Sequence, residues 1–382
     1  MAVSPDNQIL QLNIEFILPE EELPMANNLK LYFPAIRSRE ELLQRIRSDS
    51  DMMAIFDSWS VEQREEFLDM CTGNRGVKIL YDQFFKEIFA PDVHPERLEE
   101  LLSLILKAKV KIVKILPNDS PRIAAEKSLL AMDIIVQLED GSLANIEVQK
   151  IGYAFPGQRS ACYSADLLLR QYRRVRNEKG KKFSYRDIKK VYTIVFFEKS
   201  TKEFHRKKEQ FIHRMKQHSD TGVEVELLQE YIFVTLDNFI KVLHNGSVNI
   251  NNELEAWLTF LSSNEPEYII QLIKQYPKFK EYYEEVYEMC LEVDEIMGIF
   301  SEELAILDSN TVDYMMDEMQ AEIDKLQEKK TALEEEKTAL EEEKRRSDML
   351  LKLLADAGRI EDIQKVLADS KHREKLYKEF CL

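Results

Sequence analysis

The chain has 382 residues, 44% of them hydrophobic and 32% charged, with 19 Phe, 15 Tyr, only 10 Gly and a formal net charge of −17. This length and apolar content exclude a disordered chain and predict two or three units with a sizeable core; the charge and scarce glycine predict much exposed helix. No run approaches the roughly 20 apolar residues of a membrane span, the amino-terminal residues lack a basic-then-apolar leader, and Cys71, Cys162, Cys290 and Cys381 lack metal-ligand spacing, so a soluble cytoplasmic protein with no membrane partner is expected.

Residues 1–30 carry few signals beyond an acidic, Pro-flanked stretch at 18–23. Ser38-Arg39-Glu40-Glu41 reads as a capped helix start. Leu42, Leu43, Ile46, Phe56, Trp59, Phe67 and Met70 then recur at helical spacing, which predicts a small helical lead-in covering one face of a core. An amphipathic helix is expected over 77–90, with Leu80, Phe84 and Ile88 on one side and Asp82 and Lys86 on another. A short Leu-rich helix follows over 95–106, and a β-rich run over 110–116 is closed by Pro117-Asn118-Asp119-Ser120-Pro121.

Residues 132–150 predict a β-hairpin. Two alternating runs flank Glu139-Asp140-Gly141-Ser142, a strong turn signal. The two-residue period of a strand forces Glu147 and Gln149 onto one face, and the hairpin brings Asp133 to the same face. Two carboxylates on an Ile/Val/Leu frame repel each other unless a cation or proton lies between them, so the trio is a candidate divalent-metal site. Lys150 should face the other side of the strand.

A helix over 158–176 is expected to bury Ala161, Ala165, Leu168, Tyr172 and Val175, leaving Arg159, Tyr163, Arg170, Arg173 and Arg174 on its outer side. Residues 191–197 read as a buried strand and 231–236 as a late one, giving the core order αβββαβ. Residues 252–308 read as helices burying Leu254, Trp257, Leu258 and Leu261. From Val312 a heptad runs through Met319, Leu326, Leu333 and Leu340, with Met316 and Ile323 in the alternate seam and then Lys330, Lys337 and Lys344. That pattern predicts a coiled coil; internal pairing against the helices before residue 308 is one way to cover its seam, and the seven-residue regularity favours a second copy of the chain, as a homodimer. Gly358 marks a helix break. The expected organisation is 1–75 helical lead-in, 76–240 core, 241–310 helical region, 311–346 coiled coil and 347–382 helical tail.

The acidic total hides a basic block. Residues 150–216 hold 19 Lys or Arg against 6 Asp or Glu, a net of +13. Affinity for nucleic acid depends on local phosphate neutralisation, not on the global sum.

Asp133, Glu147 and Gln149 resemble the motif of the PD-(D/E)xK nuclease superfamily, in its branch of recombination-promoting nucleases and transposases of gut bacteria. In that branch Gln commonly stands at the Lys position. Tyr81-Asp82-Gln83-Phe84-Phe85-Lys86 is similar to the family's opening helix. Gly152-Tyr153-Ala154-Phe155-Pro156-Gly157-Gln158-Arg159 and Cys162-Tyr163-Ser164 are similar to its post-motif helix entry. The resemblance is close over residues 35–240 and looser elsewhere.

It implies an α/β, restriction-endonuclease-like core with a mixed sheet, and divalent-metal-dependent hydrolysis of DNA phosphodiester bonds, endonucleolytic and linked to recombination or transposition. Asp133 and Glu147 would hold Mg²⁺ or Mn²⁺, with the Val148 carbonyl and Asp82 as further ligands. Gln149 would position a water without supplying charge, and Arg159, Tyr163, Arg170, Arg173 and Arg174 would contact DNA. A catalytically degenerate DNA-binding or assembly protein on the same fold is the alternative. An RNA-directed nuclease would leave the same sequence marks.

Overall fold

The structure, a computed structural model, describes residues 28–116, 133–151, 156–245 and 250–382. The 18–23 stretch, the 117–121 loop and residues 152–155 lie outside the described residues, as does the Asp133 side chain. The chain divides into two compact units, residues 1–310 and residues 311–382.

The lead-in of the first unit is three short helices, α1 (Arg39–Arg47), α2 (Ser50–Ser58) and α3 (Val61–Thr72). Ser38 and Glu41 form a reciprocal capping box on α1, as do Ser60 and Gln63 on α3; Asp49 caps α2. Leu42, Ile46, Phe56, Trp59, Phe67 and Met70 are buried in the main core, so the lead-in does cover one face of the molecule.

Next come α4 (Asp82–Ile88) and α5 (Pro95–Leu106). The expectation of a helix over 77–90 was too long. Tyr81 is extended at the α4 N-cap, Lys150 donates to the Leu80 carbonyl, and Glu303 Oε1 accepts from the Asp82 amide at 2.6 Å. Groups from distant parts of the chain satisfy the backbone that an earlier helical turn would have used.

The six-stranded sheet contains β1 (Ile112–Leu116), β2 (Asp133–Leu138), β3 (Leu143–Ile151), β4 (Val191–Lys199), β5 (Ile212–Met215) and β6 (Gln229–Thr235), in the order β1-β2-β3-β4-β6-β5. The first three strands pair antiparallel; β3–β4 and β4–β6 pair parallel, and β5 closes the edge antiparallel. The parallel step from β3 to β4 needs a crossover, supplied by α6 (Pro156–Lys179). The sheet is therefore mixed, as expected.

The β2–β3 hairpin follows from its turn. The Leu138 amide donates to the Ser142 carbonyl at 2.9 Å, Gly141 adopts φ +86°, and Asp140 Oδ1 accepts from the Ser142 amide at 2.9 Å. This is a three-residue loop ending in a left-handed glycine. It fixes the register that places Asp133 directly opposite Glu147.

Both faces of β3 are covered. Ala144, Ile146 and Val148 enter the main core with the helical layer of α1–α5 and α7 (Leu236–Asn245), α8 (Glu253–Ser262), α9 (Pro266–Gln275), α10 (Lys278–Met289) and the start of α11 (Val293–Asp356). Leu143 packs on the other face with Ile135, Val191 and Leu167 of α6.

One face of α6 differs from its sequence expectation. Ala161 and Ala165 are exposed, and Leu168, Tyr172 and Val175 are half-buried. The buried stripe is Ser160, Ser164, Leu167 and Gln171. The sheet floor beneath explains the rotation, because Asn145, Glu147, Gln149 and Thr193 are buried there and Gln229 donates to Ser164 Oγ at 3.0 Å. A polar floor draws down the side of the helix that can hydrogen-bond and approach closely.

In the second unit, the last turns of α11 pack Leu350 and Leu354 against Val366 of α12 (Ile360–Ala368) and Leu376 and Tyr377 of α13 (Ser370–Glu379). Gly358, at φ +70°, breaks α11 from α12 as expected. The heptad segment lies within one continuous 64-residue helix.

The α6 rotation is directly testable. Ser164→Leu should wedge the helix off its floor and destabilise the protein by about 1–3 kcal/mol. Ala165→Leu, one residue on, should stay within about 0.5 kcal/mol of wild type. Urea denaturation measures both, and equal effects would reject the assigned face.

Candidate metal and nucleic-acid site

Glu147 and Gln149 come together as their spacing requires, in a setting the hairpin alone did not reveal. Their side chains are 1% and 4% exposed, beneath α6. Gln149 Nε2 donates to Glu147 Oε1 at 2.6 Å. Gln149 Oε1 is buried and has no hydrogen-bond partner among the described residues. A buried amide oxygen left open in this way suits a polar ligand such as a water.

The Asp133 backbone faces Glu147 across the β2–β3 ladder, one strand over on the same face. Among the described residues no three His, Cys, Asp or Glu side chains form a metal-sized cluster. The one described carboxylate on this face of the hairpin that a cation would reach is that of Glu147, with main-chain oxygen and water to complete its shell. Few carboxylates plus water is a coordination style suited to Mg²⁺.

Lys150 points to the opposite face, as expected. It is 6% exposed, donates to the Leu80 carbonyl, and places Nζ 3.1 Å from Glu303, 3.8 Å from Glu198 and 5.2 Å from the centre of the Tyr81 ring. Glu303, on α11, is 7% exposed. Burial pushes its carboxyl above the usual range, while Lys150 and the Asp82 amide pull it back. This buried ammonium is a structural tie between β3, α4 and α11, and it lies away from Glu147.

Asp82 belongs to the neighbourhood of that tie. Its amide is held by Glu303, and its Oδ2 pairs with Lys86 at 2.5 Å, an i,i+4 contact along α4. These interactions join Asp82 to Lys86 and Glu303, not to Glu147.

Arg159, Tyr163, Arg170 and Arg174 form a half-buried flank beside the buried stripe of α6, and Arg173 is exposed. The expected outer side is thus only partly outward. The Arg159 guanidinium lies 5.5 Å from the centre of the Tyr163 ring, and Arg170 Nε pairs with Asp166 at 2.9 Å. Several other cations of the basic block are tied internally. Lys190 bridges Glu226 and Glu230, which raises its pKa, and Lys179 pairs with Asp187. Arg173, Lys181, Lys182 and Arg186 are the exposed remainder along the end of α6 and the turn after it. An aromatic cluster sits among them. Tyr172 stacks 6.1 Å from Tyr185, Phe183 packs edge-on to both, and Tyr185 is largely exposed.

The sequence reading missed Glu303, Asn145, Thr193 and Gln171. Glu303 was signalled by its spacing: it continues the buried stripe of Ile296, Ile299 and Phe300, where a carboxylate requires a partner. The α6 stripe had only two serines, a leucine and a glutamine to mark it, a weaker signal than the alanines and aromatics beside it.

A family model described as PD-(D/E)XK nuclease family transposase matches residues 79–315, more than half of the chain and including the hairpin, α6 and the parallel strands. Neither the curated proteins nor the solved structures compared with the chain include a match. Among the described residues, no helix is long and apolar enough to cross a membrane.

Lys150→Met should leave Glu303 buried without its counter-charge and destabilise the protein by about 3–5 kcal/mol. Lys150→Met with Glu303→Gln, which keeps an acceptor for the Asp82 amide, should recover most of that loss, because both charges are then gone. Thermal or urea unfolding of the two variants measures the coupling. Additive losses would show that the pair is not a unit.

Proposed function

The chain belongs to the PD-(D/E)XK nuclease family transposases, and on that footing we propose that it is a divalent-metal-dependent endonuclease acting on DNA. The observation that carries the reading is the buried Glu147–Gln149 pair lying in register with Asp133. A second carboxylate across from the buried Glu147 would repel it, and a cation between the two would relieve that repulsion.

Asp133 and Glu147 would hold Mg²⁺ or Mn²⁺, with the main-chain oxygen of Val148 one residue on. When bound, the cation would polarise the scissile phosphate and acidify an attacking water. Glu147 is oriented by the amide of Gln149, which fixes its carboxylate before any substrate arrives. The open Oε1 of Gln149 would accept a hydrogen bond from the water and aim it. Gln149 supplies no positive charge, so its role is orientation, not charge stabilisation. Asp82 pairs through Oδ2 with Lys86 while its Oδ1 is buried without a hydrogen-bond partner among the described residues, so it would offer that oxygen as a further ligand. The exposed Arg173 and its neighbour Arg174 would neutralise backbone phosphates and set position on the duplex.

Gln149 in place of lysine favours one competing reading, a DNA-binding protein that has lost catalysis on the same fold. Supercoiled plasmid incubated with the protein separates the two. With Mg²⁺ the plasmid should be nicked or linearised, and chelator should stop it. Asp133→Ala and Glu147→Ala should each cost roughly a hundredfold or more in rate, equivalent to about 2.7 kcal/mol or more of transition-state stabilisation, with DNA binding retained. Gln149→Ala should cost less, on the order of tenfold. Wild-type rates in Glu147→Ala would reject the site. DNA binding with no cleavage by the wild-type protein would establish the degenerate reading.

Arg173→Glu with Arg174→Glu should weaken binding to all duplex sequences alike. It should also reduce the slope of log K against log salt by about 0.9 for each phosphate that is no longer neutralised. Fluorescence anisotropy over a salt series reads both quantities, and an unchanged slope would assign these arginines to solvent.

A further inference from the structure

The seam of α11 is an unpartnered face of the second unit. Val312, Met316, Met319, Ile323, Leu326, Leu333 and Leu340 are between 44% and 68% exposed. Their spacing alternates four and three residues, which sets Val312, Met319, Leu326, Leu333 and Leu340 at the d positions of a heptad. Met316, Ile323, Lys330, Lys337 and Lys344 fall at its a positions. A regular seam over this length matches the same seam on another helix, and a second copy of the chain supplies it.

The direction of that second copy follows from the charges. In a parallel pair each a residue meets its own counterpart, so Lys330, Lys337 and Lys344 would give three successive layers of like charge. The flanks of that pair offset nothing overall, because Lys329 would meet the partner's Glu334 but Glu336 would meet the partner's Glu341. In an antiparallel pair a residues meet d residues. With the two-fold axis between residues 331 and 332, Lys330 faces the partner's Leu333, Lys337 faces the partner's Leu326, and Lys344 faces the partner's Met319. In the same register Ile323 faces the partner's Leu340. No layer then holds two lysines. On the flanks Lys329 meets the partner's Glu336, which attracts, while Glu322 meets the partner's Glu343, which repels.

The conformation of the lysines fits the antiparallel arrangement. Lys330 Nζ lies 3.8 Å from Glu334 and Lys337 Nζ lies 3.8 Å from Glu341, both on the same helix. Each ammonium is thus turned off the seam onto a carboxylate one turn on. That leaves the methylene stem to cover an opposing leucine.

We propose that the protein forms a homodimer through residues 312–344 of α11, with the two helices antiparallel and centred between residues 331 and 332. The assembly is independent of the nuclease reading, because no residue of the hairpin or α6 takes part.

Cysteine cross-linking of the full chain tests both partner and direction. The two exposed native thiols, Cys162 and Cys381, are first replaced by serine. Lys344→Cys and Met319→Cys are then made in that background as separate proteins. In the antiparallel pair, two copies of residue 344 are roughly 35–40 Å apart along the axis, so neither variant cross-links to itself. Mixing the two variants should give a disulfide-linked dimer under mild oxidation. Self-cross-linking of Lys344→Cys alone would establish a parallel pair and overturn the proposal. Light scattering of the uncross-linked full chain should give twice the monomer mass at micromolar concentration. A monomer or a trimer would overturn the proposal equally.

Discussion

Burial of β3 on both faces is the constraint on which the first unit depends. A nine-residue strand at the centre of a mixed sheet must satisfy a helical layer on one side and a crossover helix on the other. Ala144, Ile146 and Val148 do so with small and branched apolar side chains, and Lys150 with a buried ammonium. Its odd-numbered residues do so with Leu143 and then with Asn145, Glu147 and Gln149, of which Gln149 donates to Glu147; Ser160, Ser164 and Gln171 of α6 and Thr193 of the adjoining strand are buried polar residues on the same side. The position of α6 is a consequence of this floor. A fully apolar floor would have drawn down Ala161, Ala165 and Leu168 instead.

The same strand carries the means of anchoring itself. Lys150 follows Gln149 directly, and the two-residue period sends it to the far face. There one ammonium joins the Leu80 carbonyl, Glu303 and Glu198. Glu303 in turn holds the first amide of α4. Elements about 70 and 150 residues away in sequence are thereby tied to the strand that bears the candidate site. Rigid support of this kind holds the strand that carries Glu147 and Gln149 against α4 and α11. Placing the buried cation behind the strand also keeps a fixed positive charge off the face where a divalent cation would sit.

Charge is divided by region. The basic block follows the motif directly, and Arg170, Lys179, Lys190 and Lys216 within it are paired with Asp166, Asp187, Glu226 and Glu230. Exposed cations lie at the end of α6 and in the following turn, interleaved with Tyr185, and again from Lys199 to Lys208 and at Arg214 and Lys216. The acidic excess of the chain lies elsewhere, much of it on the heptad helix, where glutamates flank the lysines of the seam. A net charge of −17 is therefore no measure of how the protein meets a polyanion.

Much was determined by the sequence alone, and the reason is locality. The hairpin register, the left-handed Gly141, the capping box at Ser38, the order αβββαβ and the heptad all rest on spacings within a few residues, and their physics needs no partner. The pairing of Glu147 with Gln149 is legible for the same reason, since a strand's period fixes which side chains share a face. Tertiary structure decided the rest. It turned α6 onto Ser160 and Ser164, because that depends on what lies beneath the helix. It shortened α4, because Lys150 and Glu303 compete for the backbone ahead of it. It also buried Glu147 and Gln149 almost completely, because only the packed sheet brings α6 over them. Whether a polar residue is solvated or enclosed depends on contacts between residues far apart in the chain, and no local spacing records those contacts.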